Sequence, residues 1–163
     1  YKIMQDACGV LAEYADGLGA HFAIETVPEP AKTLKGFLDG LHSRGVAVNL
    51  DPANLVMVSG DDPVEAAHTL KDYIVHTHAK DGRMLYSLDP EIVYGVRPKS
   101  PELVESPSFI ELPLGEGDVP FKEYLSALDE DGYRGFLTIE REVGENPARD
   151  IASAVDYLKN IIG

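Results

Sequence analysis

Tyr73-Ile74-Val75-His76-Thr77-His78 is a short apolar run that ends on an imidazole. Its length and its β-branched and aromatic residues read as a buried strand. Three other runs share the pattern: His21-Phe22-Ala23-Ile24-Glu25, Val46-Ala47-Val48-Asn49-Leu50-Asp51 and Gly135-Phe136-Leu137-Thr138-Ile139-Glu140. Each ends on a side chain that can bind a metal ion, and each is followed by a turn and then a helical pattern. Strands separated by helices predict a parallel α/β sheet. All carboxyl ends of such a sheet lie on one side, and that side carries ligands. Glu25, Asp51, His78 and Glu140 are therefore expected to converge. Three carboxylates and one imidazole form a hard, oxygen-rich donor set suited to a divalent cation. A lone acid at a strand end is often a helix cap or turn residue, but capping does not account for ligand types at four such ends.

Helical stripes fill the intervals. Ile3, Ala7, Val10, Leu11, Tyr14 and Leu18 mark a helix over 3–18, stopped near Gly19. Leu34, Phe37, Leu38 and Leu41 mark another over 31–44, with Gly45 as its stop. Asp62-Pro63 reads as an N-cap followed by proline in the first turn, with Val64, Ala67 and Leu70 continuing the helix. Phe121, Tyr124, Leu125 and Leu128 precede a stop at Gly132. Asn146-Pro147 opens a last helix carrying Ile151, Val155, Leu158, Ile161 and Ile162. His42 and His68 fall on helices and are expected at the surface, while His21 opens a strand at the end away from the ligands. The ligand positions lie 26, 27 and 62 residues apart. The first two intervals are ordinary βα units. The third carries about 35 extra residues, too many for a plain connection. This stretch, about 82–117, holds Pro90, Pro98, Pro101, Pro107 and Pro113 and reads as an irregular inserted loop. An insertion at the ligand end of a strand is expected to shape or cover a site, the alternative being a passive excursion.

Side chains alternate across a strand. Glu25 then shares a face with Ala23, Asp51 with Asn49, His78 with His76, and Glu140 with Thr138. His78 is the expected ligand because it is nearer the carboxyl end; His76, one layer down, is read as a satisfied core histidine or, alternatively, as a residue supporting the ligands from below.

The chain of 163 residues is 44% hydrophobic, enough for one domain, 1–163, with a real core. Its formal net charge of -14 repels phosphate backbones and argues against general nucleic-acid binding. Most of those charges are expected to be solvated surface. Cys8 is the single cysteine, so no internal disulfide forms; it is expected to be a small core residue. No apolar run approaches the roughly 20 residues of a membrane span, and no signal-peptide pattern opens the chain. These features fit a cytoplasmic protein. The chain opens directly on a helix without an initiator methionine, which predicts a trimmed or partial chain.

Taken in order, Ala23-Ile24-Glu25, Asn49-Leu50-Asp51-Pro52-Ala53-Asn54, His76-Thr77-His78-Ala79-Lys80-Asp81, Pro113-Leu114-Gly115-Glu116-Gly117-Asp118-Val119 and Gly132-Tyr133-Arg134-Gly135-Phe136-Leu137-Thr138-Ile139-Glu140 resemble the xylose isomerase-like TIM barrel family of sugar (phosphate) isomerases and epimerases. The His-x-His-x-Lys-Asp and Pro-Leu-Gly-Glu-Gly-Asp stretches together carry the resemblance. It implies one divalent ion (Mn, Mg, Co or Zn) held by Glu25, Asp51, His78 and Glu140. It makes Glu25 and Glu140 the candidate acid/base residues, and Asn54 and Arg83 candidate contacts to substrate oxygens. Many relatives have His three residues after the aspartate where this chain has Asn54, a poor transition-metal ligand; that speaks against a multinuclear centre. A full barrel of this type needs roughly 250 residues. The resemblance therefore implies a C-terminal half with four strands, completed by an N-terminal half or by a second copy of the chain. An open half-barrel leaves two sheet edges and an apolar lumen exposed and is expected to be inactive alone.

The activity so implied is metal-assisted proton transfer next to the carbonyl of a small-molecule sugar or sugar phosphate, through an enediolate. Return of the proton to a different carbon gives isomerisation; protonation from the opposite face gives epimerisation. Dehydration of a polyol ketone starts with the same abstraction. Two alternatives stand beside this reading. One is a non-catalytic sugar-binding or assembly domain of the same fold, which would bind metal without turnover. The other, an apurinic-site endonuclease, is disfavoured by the acidic charge, by Asn54 and by the scarcity of histidine.

Overall fold

The computed structural model describes residues 1–100 and 106–163. Among these there are six strands, β1 (Phe22–Glu25), β2 (Val46–Leu50), β3 (Ile74–Ala79), β4 (Asp81–Met84), β5 (Phe109–Leu112) and β6 (Leu137–Ile139), with helices between all but β3 and β4. The helices are α1 (Lys2–Gly17), α2 (Ala31–Asp39), the single turn α3 (Pro52–Asn54), α4 (Pro63–Leu70), α5 (Pro90–Val93), α6 (Phe121–Glu130) and α7 (Pro147–Ile162). A π-helical turn, Leu55–Ser59, follows α3 and closes on Gly60 in the left-handed conformation. The four runs quoted above form one parallel sheet in the order β1-β2-β3-β6. Among the described residues no helix is long and apolar enough to cross a membrane.

One face of the sheet is apolar and packs under the helices. Val46, Val48 and Leu50 meet Leu34 and Leu38 of α2, Ala66, Ala67 and Leu70 of α4, and Tyr124 and Leu128 of α6 in one cluster. Thr77 is fully buried on this side. Its hydroxyl donates to the Leu50 carbonyl and shares a short hydrogen bond with the Tyr124 hydroxyl. The opposite face carries Ala23, Asn49, His76, His78 and Thr138 and is largely open. Asn49, His76, His78 and Thr138 make this face more polar than the apolar lumen expected, with Phe136 exposed in the same alternation as Thr138. Two capping signals are borne out: Asp62 accepts from the Val64 N–H and Asn146 from the Arg149 N–H.

The structure corrects several local readings. The stripe of α1 faces solvent: Ile3, Val10, Leu11, Tyr14 and Leu18 are exposed, and Ala12 and Ala15 are its buried residues. Periodicity marked the helix but not the face that docks. Cys8, expected in the core, is half-buried beside β1 in a groove it shares with Phe22 and Phe37. Helix α2 ends at Asp39, and His42 lies beyond it in a loop with φ 51°. Gly45 is no helix stop. A Cβ there would lie 2.0 Å from the Ala12 carbonyl oxygen and 2.6 Å from the Asp16 nitrogen. It lets α1 approach the entry to β2 through backbone contact. Gly45→Ala should therefore cost about 1–3 kcal/mol, as overpacking does, read as a lower Tm in a thermal melt; an unchanged Tm would refute this role.

The stretch read as an irregular loop over about 82–117 contains two strands. β4 and β5 pair antiparallel, with Gly82 opposite Glu111 and Met84 opposite Phe109. Residues 101–105, including Pro101, lie outside the described residues. The ribbon is pinned by Asp81, which is fully buried. Its Oδ1 accepts from the Gly82 and Val119 N–H groups and its Oδ2 from those of Gly115 and Gly117, all at 2.8–3.1 Å. A Cβ on Gly117 would sit 2.0 Å from Asp81 Oδ1. The Pro-Leu-Gly-Glu-Gly-Asp stretch is thus a backbone cradle around one carboxylate. Burial pushes the Asp81 carboxyl above its usual range, and its four N–H donors pull the other way.

Candidate metal centre

Glu25 is the last residue of β1, Asp51 directly follows β2, His78 is the penultimate residue of β3, and Glu140 directly follows β6. The Glu140 N–H still bonds the Ala79 carbonyl at 3.2 Å, extending the β3–β6 register to the ligand position. One donor atom from each of the four residues lies within 4.8 Å of the others. His78 Nδ1 stands 3.1 Å from Glu140 Oε2, 3.4 Å from Asp51 Oδ2 and 3.7 Å from Glu25 Oε1. The convergence expected from strand order is the convergence observed.

Local chemistry sets each position. The Thr26 hydroxyl donates to the Asp51 carbonyl at 2.9 Å and accepts from the Asp51 N–H at 2.8 Å, clasping the ends of β1 and β2 together. Asp51 is wholly buried. Its Oδ1 caps α3 by accepting from the Ala53 and Asn54 N–H groups, which leaves Oδ2 aimed at His78. Asn54 comes to the cluster as expected and donates from Nδ2 to Glu25 Oε1 at 3.2 Å. Arg83 does not join it. Its guanidinium is exposed, donates to Asp118 at 2.8 Å and reaches the Glu116 carbonyl at 3.4 Å. It is not among the residues lining the 350 Å³ cavity at the site, which include Glu25, Asn54, Lys80, Tyr94, Glu111 and Glu140. His76 lies on the lumen face, partly exposed, and pairs with the Thr138 hydroxyl at 2.9 Å; it is not the core histidine expected.

Lys80 also belongs to this site. It is buried, with Nζ 3.0 Å from Glu140 Oε2, 2.5 Å from Glu142 Oε2 and 3.9 Å from both Asp51 and Glu111. Burial alone would lower its pKa, but the hydrogen bonds to Glu142 and Glu140 outweigh burial and hold the ammonium above the ordinary lysine value. The signal was present: residues 76, 78 and 80 alternate onto one face. Glu111 gave none, because it reaches the site only through the β4–β5 ribbon. There it accepts from Arg141 and from the Glu142 N–H, and Arg141 in turn holds Asp150 at 3.0 Å.

The electrostatics suit a cation. Burial pushes Glu25 up, the His78 ring opposes this, and the Asp51 and Glu140 charges add to it. The hydrogen bond to Asp51 holds His78 above the usual imidazole value against burial, with the three carboxylates contributing. Glu25, Asp51, Glu140 and Glu142 outnumber the single Lys80 ammonium, an excess of negative charge that a divalent ion would reduce. Three oxygen donors and one nitrogen fit Mg²⁺, Mn²⁺, Co²⁺ or Zn²⁺.

A four-stranded parallel sheet with helices on one face and acid ligands at its carboxyl ends is part of a βα-barrel enzyme architecture. The chain belongs to the xylose isomerase-like TIM barrel family, whose model matches residues 1–161. It is similar to an inosose dehydratase of Clostridium tetani, 31% identical over 108 residues, covering 66% of this chain and 33% of that protein. It is also similar to the rhizopine catabolism protein MocC of Rhizobium meliloti, 27% identical over 153 residues, 93% of this chain and 44% of that one. Among solved structures, a xylose isomerase domain protein from Planctomyces limnophilus superposes with a TM-score of 0.77 at 31% identity, covering 99% of this chain and 51% of the other. The chain spans about half the length of that structure, and between a third and about half of the curated relatives it matches.

Proposed function

We propose that this chain carries the metal-binding half of an enzyme that isomerises or epimerises a sugar or sugar derivative by moving a proton next to a carbonyl. The observation that carries the reading is the approach of three carboxylates to His78 Nδ1 at 3.1–3.7 Å, on the ligand side of a barrel sheet. A divalent ion held by Glu25, Asp51, His78 and Glu140 would supply Lewis-acid stabilisation of negative charge developing on the carbonyl oxygen. Glu140 takes the α-proton, and the C–H electron pair passes into the enediolate. The Lys80 ammonium at 3.0 Å orients the Glu140 carboxylate for this step. Glu25, whose carboxyl burial pushes toward the neutral form, delivers a proton to the other face of the intermediate. Asn54, already a donor to Glu25, is placed to hold a substrate hydroxyl. Arg83 reaches substrate only if its pair with Asp118 opens. Four strands close the wall only with a further half, supplied by the same protein or by a second copy.

The curated relatives favour a second outcome of the same abstraction. Three carry the name inosose dehydratase, at 26–31% identity. There the carbanion would expel a β-hydroxyl as water, with Glu25 as the acid.

The test is solvent-deuterium uptake at the α-carbon of ketoses, ketose phosphates and inososes, followed by ¹H NMR with the full-length protein and added Mn²⁺, Mg²⁺, Co²⁺ or Zn²⁺. Incorporation that stops on adding chelator is the expected result. Stoichiometric cation binding without incorporation into any of them would instead assign the fold to sugar binding without turnover.

A further inference from the structure

Asn49 lies on the lumen face directly beneath the four ligands. In the β2 register it pairs with Glu25 on one side and His76 on the other. Its Nδ2 stands 3.1 Å from His78 Nε2 and 3.5 Å from Glu25 Oε2. Among the described residues, Asn49 Oδ1 is a buried side-chain atom without a hydrogen-bond partner. Buried polar atoms are rarely left so, and one that is left requires a reason.

A neutral imidazole carries one proton on one of two nitrogens. Asn49 Nδ2, which can only donate, stands 3.1 Å from Nε2 and the carboxylates stand 3.1–3.7 Å from Nδ1, contacts that fit a neutral ring with its proton on Nδ1. A cation among those carboxylates needs the Nδ1 lone pair, which moves the proton to Nε2. The Nε2–H would then confront the Asn49 N–H groups, donor against donor. A half-turn of the amide removes the conflict: Oδ1 swings to Nε2 and accepts. The same half-turn removes the Nδ2 contact to Glu25 Oε2. The half-turn thus gives the unpartnered oxygen a donor.

We propose that Asn49 is a positioning residue that turns its side-chain amide to accept from His78 Nε2–H, fixing the tautomer that presents Nδ1 as a metal ligand. This rests on the cation reading above and adds to it a residue outside the ligand set. Alternation places Asn49 on the ligand face, but only the fold brings it against His78.

The experiment uses calorimetric titration of the full-length protein with Zn²⁺ and Mn²⁺, together with imidazole ¹⁵N NMR of His78. In the unsubstituted protein Zn²⁺ should move the His78 proton from Nδ1 to Nε2. Asn49→Leu, which cannot accept, should bind about 10- to 100-fold more weakly, the usual cost of losing such a partner. Asn49→Asp, which always accepts, should bind as tightly as the parent or more tightly. Thermal melts without added metal show whether each variant is folded. Parental affinity in Asn49→Leu, equal losses in both variants, or ligation of His78 through Nε2 would each overturn the inference while leaving the cation site standing. Failure of the parent protein to take up either cation would overturn this inference and the reading beneath it together.

Discussion

Glu140→Gln should lower kcat by about 10²–10⁴-fold at saturating metal, the typical contribution of a general acid or base. The amide keeps the shape of the side chain but cannot take a proton, and it presents at most one neutral oxygen to the ion. Glu140 directly follows β6, 3.1 Å from His78 Nδ1 and 3.0 Å from Lys80 Nζ, so the substitution also removes one of the Lys80 counter-charges. Asn54→Ala is the comparison. It deletes a donor to Glu25 at 3.2 Å and a proposed substrate contact but no proton carrier. Its loss should be the smaller and should appear more in KM than in kcat. Steady-state kinetics on both variants of the full-length protein decide the matter: similar small losses in kcat would refute Glu140 as the proton carrier.

Asp81→Ala should destabilise the protein by about 3–5 kcal/mol, the range for breaking a buried charged network. Four backbone N–H groups, those of Gly82, Gly115, Gly117 and Val119, lose their acceptor at once. Asp81→Asn should cost less, because the amide oxygen keeps one pair of donors while its NH₂ faces the other. Chemical denaturation of the three proteins measures this order. The loss should also reach the site, because the cradle holds the ribbon that carries Glu111 to within 3.9 Å of Lys80. An Asp81→Ala protein as stable as its parent would show that the Gly115–Val119 loop is held by something else.

Residues that act through local periodicity were legible. The strand runs, the caps at Asp62 and Asn146 and the candidate ligands Glu25, Asp51, His78 and Glu140 are written in neighbouring residues, and parallel βα order alone implies that these strand ends converge. The face on which α1 docks was not legible. Its long apolar side chains lie exposed while Ala12 and Ala15 are buried, because docking there depends on how closely backbone can approach Gly45. The β4–β5 ribbon was hidden for a different reason. Each strand is four residues long, and the Arg83–Ile110 pair is 27 residues apart in the chain, so no local pattern announces the pairing.

The sequence by itself thus determined the parallel sheet and the side of it on which Glu25, Asp51, His78 and Glu140 gather, because strand period and connection order are local properties. Tertiary structure alone decided the surroundings of those ligands: Lys80 between Glu140 and Glu142, Glu111 brought back by the ribbon, Arg83 held off by Asp118, and Asn49 beneath His78. These are contacts between side chains distant in the chain. Their partners are chosen by packing and charge balance, which take effect only once the strands are side by side.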